Sequence, residues 1–116
     1  MKIKIIKANE QHIPELGDLW MEFMCFSQNI EPIHEPKDDA IPIYINEYLR
    51  PSMEAEDRLV LVALDGERVV GYSYSFIVKP SNLVKREKYG IIHDMFITAQ
   101  YRRVGIGKIL FNEIIK

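Results

Sequence analysis

The segment Ile97-Thr98-Ala99-Gln100-Tyr101-Arg102-Arg103-Val104-Gly105-Ile106-Gly107-Lys108-Ile109-Leu110 joins a strand pattern to a helical one across two glycines. Upstream, YGIIHDMFI (89–97) is the apolar content of a strand ending at Ile97; downstream, apolar residues return at three- and four-residue spacing. A helix beginning at about Gly105 leaves its first N–H groups without acceptors inside the helix. Glycine lets the chain turn there and lets an anion approach with no Cβ in the way. Arg102, Arg103 and Lys108 add positive charge beside a helix end that is already electropositive. Together these features describe an anion cradle suited to a diphosphate.

Working outward, the placement of the glycines excludes two nucleotide readings. They fall late, after a hairpin, and lack the early strand–helix–strand placement of a dinucleotide fingerprint. A Walker loop needs Ser or Thr after its lysine, and Lys108 is followed by Ile109. The hairpin itself is RLVLVAL, then Asp65-Gly66, then ERVVGYSYSFIV. Val60, Val62 and Leu64 alternate, as do Val70, Tyr72, Tyr74 and Phe76, and glycine supplies the positive φ of a tight turn. Further out, Lys2–Lys7 reads as a first strand with Ile3 and Ile5 on one face. An amphipathic helix follows over about Ile13–Phe26, with Leu16, Leu19 or Trp20, Phe23 and Phe26 on its apolar side and Pro14 in its first turn. Gly17 weakens that helix slightly. Prolines 32, 36 and 42 mark a loop, and a short helix over about Ile43–Arg50 is ended or bent by Pro51. Residues 51–57 form a polar connector or brief turn. In the last helix Leu110, Phe111, Ile114 and Ile115 lie along one side. Sequential antiparallel strands packed with helices, an α/β (α+β) arrangement, are the economical solution.

With 116 residues the chain has room for one domain, able to bury about two thirds of its extended surface. A composition of 47% hydrophobic and 28% charged residues is ordinary for a globular protein, and a net charge of -2 gives no general grip on nucleic acid. The single cysteine, Cys25, has no internal disulfide partner, and its apolar neighbours suggest a small buried thiol. No apolar run reaches membrane-spanning length and the N-terminus lacks a signal-peptide pattern, so a soluble, cytoplasmic protein is expected. His12 and His34 have no ligand spacing with each other or with Cys25, and no metal site is expected.

The pattern Arg/Gln-x-x-Gly-x-Gly/Ala, found here at Arg102–Gly107 after a strand and Tyr101, resembles the acetyl-coenzyme A motif of the GNAT superfamily of N-acetyltransferases. Leu61-Val62-Ala63-Leu64-Asp65-Gly66-Glu67-Arg68-Val69-Val70-Gly71-Tyr72 is similar to that family's second and third strands and their hairpin, and the first strand and helix fit too. The resemblance implies the acyl-CoA N-acyltransferase fold, a mixed, mainly antiparallel sheet flanked by helices, as one domain over residues 1–116. It implies transfer of an acetyl group from acetyl-CoA to an amine of a small molecule or protein, with no nucleic-acid or membrane partner and with homodimerisation as an option. A non-catalytic module that binds coenzyme A or a protein partner is the alternative.

Residue by residue, the resemblance places the coenzyme A diphosphate on the backbone of Arg103, Val104, Gly105, Ile106, Gly107 and Lys108. Arg102 would order that turn or contact the phosphates. The pantetheine arm would run along Met95, Phe96 and Ile97, and a backbone N–H near Phe96 or Ile97 would polarise the acetyl carbonyl. An amine acceptor must lose a proton before attack. His93 and Asp94 are the candidates for that work, His93 as a base and Asp94 as a base or an attractor of the ammonium. As neighbours on one strand they are expected to point to opposite faces. Tyr72 and Tyr74 share a strand face and could line the amine pocket. The acidic residues Glu31, Glu35, Asp38 and Asp39 could steer a cationic amine. Similar proteins continue past the glycine-turn helix with a fifth strand and a helix that often carries the general-acid tyrosine. The chain is therefore expected to represent the N-terminal three quarters of the fold. A fragment, a chain completed by another subunit and a binding-only module all remain open at this point.

Overall fold

In the central hairpin, Gly66 and Glu67 form a two-residue loop between paired Asp65 and Arg68. Gly66 has φ 63°, the positive value that the first loop residue of a type II′ hairpin needs. The computed structural model describes residues 2–30, 37–80, 82–83, 85 and 87–115, with side chains described outside 27–30. Its strands are β1 (Ile3–Lys7), β2 (Arg58–Asp65), β3 (Arg68–Val78) and β4 (Tyr89–Ile97). They pair in sequence order, each antiparallel to the next, so that β4 ends the sheet among the described residues. The strand order and the hairpin agree with the sequence reading.

Period-two alternation sends apolar side chains to both faces, and a helix covers each. On one face α1 (Ile13–Ile30) buries Ile13, Leu16 and Leu19 against Val60, Val62, Leu64, Tyr72 and Phe96. On the other, α4 (Ile106–Ile114) buries Ile106 and Leu110 against Leu61, Ala63 and Val70. Only part of each expected apolar stripe is used. Phe26 and Cys25 at the far end of α1 are exposed, so Cys25 is not the buried thiol its neighbours suggested. Phe111 and Ile115 are likewise exposed, because the close contact of α4 with the sheet is centred on Ile106 and Leu110.

Two irregularities in the ladders change how side chains are presented. Where Ala63 opposes Gly71 and Leu64 opposes Val69, Val70 is an extra residue; Glu15 Oε2 accepts the Val69 N–H at 2.9 Å. Farther along, Tyr74 opposes Asp94 and Ser75 opposes Ile92, so His93 has no residue opposite it. Such a bulge locally breaks the alternation of side chains.

The connection from α1 back to the sheet is more helical than the prolines suggested. It comprises α2 (Ala40–Ile43), a π-helical segment Tyr44–Leu49 and α3 (Arg50–Glu54). Pro51 has no N–H to donate, and its ring would crowd the preceding turn of an ordinary α-helix. The chain widens instead: the Arg50 N–H bonds the Ile45 carbonyl, five residues back, and the helix continues through the proline. Gly17 has a packing role here, since a Cβ on it would lie 3.0 Å from Ile41 Cγ2 and 3.3 Å from Ile45 Cδ1. The small residue that weakens α1 locally is what lets α2 and the π-helical segment approach it.

Candidate active site

The turn between β4 and α4 is held from three sides. Thr98 Oγ1 donates to Glu22 Oε1 at 2.8 Å, and the Ala99 N–H donates to Glu22 Oε2 at 3.3 Å, which ties the turn to α1. Tyr101 donates its hydroxyl to Asp65 Oδ2 at 2.6 Å, and Arg68 bonds the Gln100 side chain at 3.3 Å, which ties it to the β2–β3 hairpin. That bond to Asp65 is the main reason the Tyr101 phenol is raised above its usual range. Arg102 turns inward: its Nε donates to the Ile97 carbonyl at 2.9 Å and its guanidinium lies 5.0 Å from the Phe96 ring centre. These contacts tie the Arg102 side chain to the end of β4.

Beyond these anchors the backbone is shaped for close approach. Arg103 and Gly105 both have positive φ, 66° and 88°, and Gly105 caps α4. A Cβ on Gly105 would meet nothing within 4 Å, and one on Gly107 would meet only Met95 Sδ at 3.8 Å, so the space over both glycines is open. Arg103, Val104 and Lys108 are exposed around it. The first helical hydrogen bond runs from the Ile109 N–H to Gly105 O. The N–H groups at the start of α4 thus have no acceptor within the helix, as an anion cradle requires.

The edge of β4 follows from the ladder. The Thr98 N–H bonds Val70 O across to β3. Backbone groups alternate in direction along a strand, so Phe96 also faces β3 while Met95 and Ile97 present theirs to the outer edge. The Ile97 carbonyl on that edge is the one Arg102 binds. The open N–H expected near Phe96 or Ile97 is therefore that of Ile97.

The bulge changes the reading of His93 and Asp94. Instead of pointing to opposite faces of the sheet, both line one cavity of about 390 Å³ on the α1 side, with His93 Nδ1 3.3 Å from Asp94 Oδ1. Tyr74 lines the same cavity, and His93 sits edge-on to its ring with centroids 5.7 Å apart. Tyr72 does not line it; its ring is buried in the core, where its hydroxyl has no hydrogen-bond partner. Burial, then the neighbouring Tyr44 and the Asp94 charge, push the Tyr72 phenol far up, and burial and Asp94 do the same to Tyr44. Both phenols stay protonated at neutral pH beside the carboxylate.

Residues that sequence reasoning missed complete the cavity. Trp20 stacks on Tyr44 with ring centroids 4.4 Å apart and planes 5° from parallel, and Tyr48 closes one side. Trp20 reads as a core residue of α1, and only the π-helical segment brings Tyr44 and Tyr48 to it; their four-residue spacing was the available signal. Asp38 and Asp39 are exposed and do not line the cavity, while Glu31, His34 and Glu35 lie outside the described residues. His12 is buried and accepts the Asn9 N–H at Nδ1, a capping role. A wider depression of about 640 Å³ lies among the outer ends of β2–β4 and α4, bordered by Ile77, Ile92, Phe111 and Ile115, and holds none of the expected site residues. Among the described residues no group of three or more His, Cys, Asp or Glu could hold a metal ion, and no helix is long and apolar enough to cross a membrane.

An edge strand, a glycine turn at a helix start and an adjoining cavity with a carboxylate lie together in this fold, and comparison with known proteins gives its family. The family model of the acetyltransferase (GNAT) family matches residues 15–116, and the chain belongs to that family. The solved structures of similar fold include a tetramutant of the BH1408 protein from Bacillus halodurans, 22% identical, with a TM-score of 0.81 over 97% of this chain and 72% of that one. They also include the aminoglycoside 6'-N-acetyltransferase AAC(6')-Ih of Acinetobacter baumannii, 17% identical, TM-score 0.74, over 98% and 69% of the two chains. A GNAT family acetyltransferase of Staphylococcus aureus is 16% identical, TM-score 0.70, over 99% and 76%. No curated protein sequence matches.

Proposed function

We propose that this chain, as one N-acetyltransferase-like domain over residues 1–116, moves an acetyl group from acetyl-CoA to an amine. The observation that carries the reading is the pairing of an anion-ready turn at Arg103–Lys108 with a carboxylate cavity at Asp94, three residues before the end of β4 at Ile97. At about 3.3 Å per residue, Asp94 lies roughly 10 Å along β4 from Ile97. That spacing supports the reading that an amine at Asp94 and a thioester along the β4 edge share one end of the strand.

Each residue then has a defined task. The turn from Arg103 to Lys108 binds the diphosphate through backbone N–H groups, with Arg103 and Lys108 adding charge. Arg102, held by Ile97 and Phe96, keeps the turn in shape. The edge at Met95 and Ile97 aligns the pantetheine arm, with Phe96 fixing the strand from the core side. The Ile97 N–H donates to the thioester carbonyl oxygen, where negative charge grows during attack. Acetyl-CoA supplies the acetyl group and leaves as the thiol. In balance, the bound ammonium first gives one proton to the His93–Asp94 pair, the freed amine nitrogen bonds to the carbonyl carbon, the carbon–sulfur bond breaks, and a second proton from that nitrogen goes to the departing thiolate. Asp94 attracts the ammonium, and the His93 imidazole beside it accepts the first proton.

Free-thiol release measured with acetyl-CoA and a panel of amines tests the proposal. Amine-dependent thiol release that falls at least tenfold in both His93→Ala and Asp94→Asn is the expected outcome. Coenzyme A binding with no release for any amine would favour the binding module instead.

A further inference from the structure

We infer that the cavity beside Asp94 selects a monoamine carried on a flat apolar or aromatic body, and excludes polycationic acceptors. The inference rests on the acetyltransferase reading for its chemistry, but the recognition it describes is a binding property in its own right. Trp20, Tyr44, Tyr48, Tyr74 and Phe76 supply five aromatic rings to the wall, and Asp94 is the one carboxylate lining it among the described residues. Among those residues no lysine or arginine lines it.

Aromatic faces attract a cation through their quadrupole and bury flat apolar groups well. A single carboxylate fixes one ammonium; each further buried ammonium would need its own counter-charge, and an unpaired buried charge is strongly disfavoured. The volume of about 390 Å³ is at the small end for ligand cavities and suits a compact molecule. The phenols beside Asp94 can donate hydrogen bonds but add no negative charge, so among the described lining residues Asp94 is the single counter-charge. The Trp20–Tyr44 stack, 5° from parallel, offers a flat wall that a ring can extend. These features contrast with what a molecule bearing several amines would require.

Trp20 is the chain's only tryptophan and lies in the cavity wall, so its fluorescence reports binding without any chemistry. The full chain is titrated with 2-phenylethylamine, 2-phenylethanol, ethylamine, spermidine and kanamycin, and acetyl-CoA is titrated separately by calorimetry. Phenylethylamine should bind about tenfold or more tighter than both the uncharged alcohol and the ringless amine. Spermidine and kanamycin should bind no better than ethylamine. In Asp94→Asn, phenylethylamine should fall to the affinity of the alcohol. Tyr48→Ala, at a residue 63% exposed, should weaken phenylethylamine several-fold with little change in the thermal melt. Tighter binding of either polycation, equal binding of amine and alcohol, or no response to any amine overturns the inference. Loss of these preferences with acetyl-CoA binding and thiol release intact would leave the acetyltransferase reading standing. Intact amine selectivity in a chain that neither binds acetyl-CoA nor releases thiol would do the reverse.

Discussion

Glu22 is the residue through which α1 governs the shape of the glycine turn. Its carboxylate accepts from Thr98 Oγ1 at 2.8 Å and from the Ala99 N–H at 3.3 Å, and lies 3.8 Å from Arg102 Nη2. Hydrogen bonds to a charged acceptor contribute about 1.5–3 kcal/mol each when well shielded. The Glu22 side chain is 40% exposed, so water recovers part of that, and the exposed pair with Arg102 adds little. Glu22→Ala should therefore cost about 1–2 kcal/mol in all, seen as a fall in melting temperature of roughly 4–8 °C for a domain of this size. Urea denaturation of Glu22→Ala, Thr98→Val and the double variant gives the coupling between the two side chains, expected at about 1 kcal/mol. Because the same contacts shape the turn, acetyl-CoA affinity should fall several-fold in Glu22→Ala with the amine preferences unchanged. Strict additivity in the cycle together with unaltered acetyl-CoA affinity would refute the anchoring role.

Two other predictions concern the core and the edge. The Tyr72 phenol keeps its proton in the fold beyond the range near pH 10 where the unfolded phenol loses it, so its contribution is intact below pH 10 and declines above. Between pH 10 and 11 this single group should remove about 1 kcal/mol of stability in urea titrations, and Tyr72→Phe should abolish that portion of the slope. Gly71→Ala would put a Cβ 2.6 Å from Ile97 Cδ1 and 3.2 Å from the Phe96 carbonyl; the methyl can swing away but the carbonyl cannot. A loss of about 1–2 kcal/mol is expected in the urea midpoint. Gly90→Ala, whose Cβ would come no closer than 3.9 Å to Phe76 O, should be nearly neutral and serves as its control.

What could be read from the sequence was whatever local chemistry decides. Alternation in β2 and β3, the glycine in their loop and the glycine turn before α4 each follow from residue type and spacing, and the strand order followed from the hairpin. The site was half legible. The turn from Arg102 to Lys108 lay in consecutive residues, but the cavity was assembled by features that spacing does not reveal. No glycine or proline marks the bulge at His93, yet that bulge puts His93 and Asp94 on one wall. Pro51 read as an end or a bend, and only the compensating π-helical turn carries Tyr44 and Tyr48 around to Trp20. The exposure of Cys25 and Phe26 was hidden for a related reason. An apolar stripe shows which side of a helix can be buried, whereas the reach of the sheet beneath it decides how far along the burial runs.

The central claim is that the backbone of the glycine turn holds the diphosphate of acetyl-CoA. Calorimetric titration with acetyl-CoA of the wild-type chain, Gly105→Glu and Gly107→Glu tests it most directly. The open space over both glycines would then hold a carboxylate where the phosphates must sit. Saturable binding to wild type that is abolished in both variants, with folding verified by thermal melts, is the predicted result. Equal affinity in all three proteins would contradict the account.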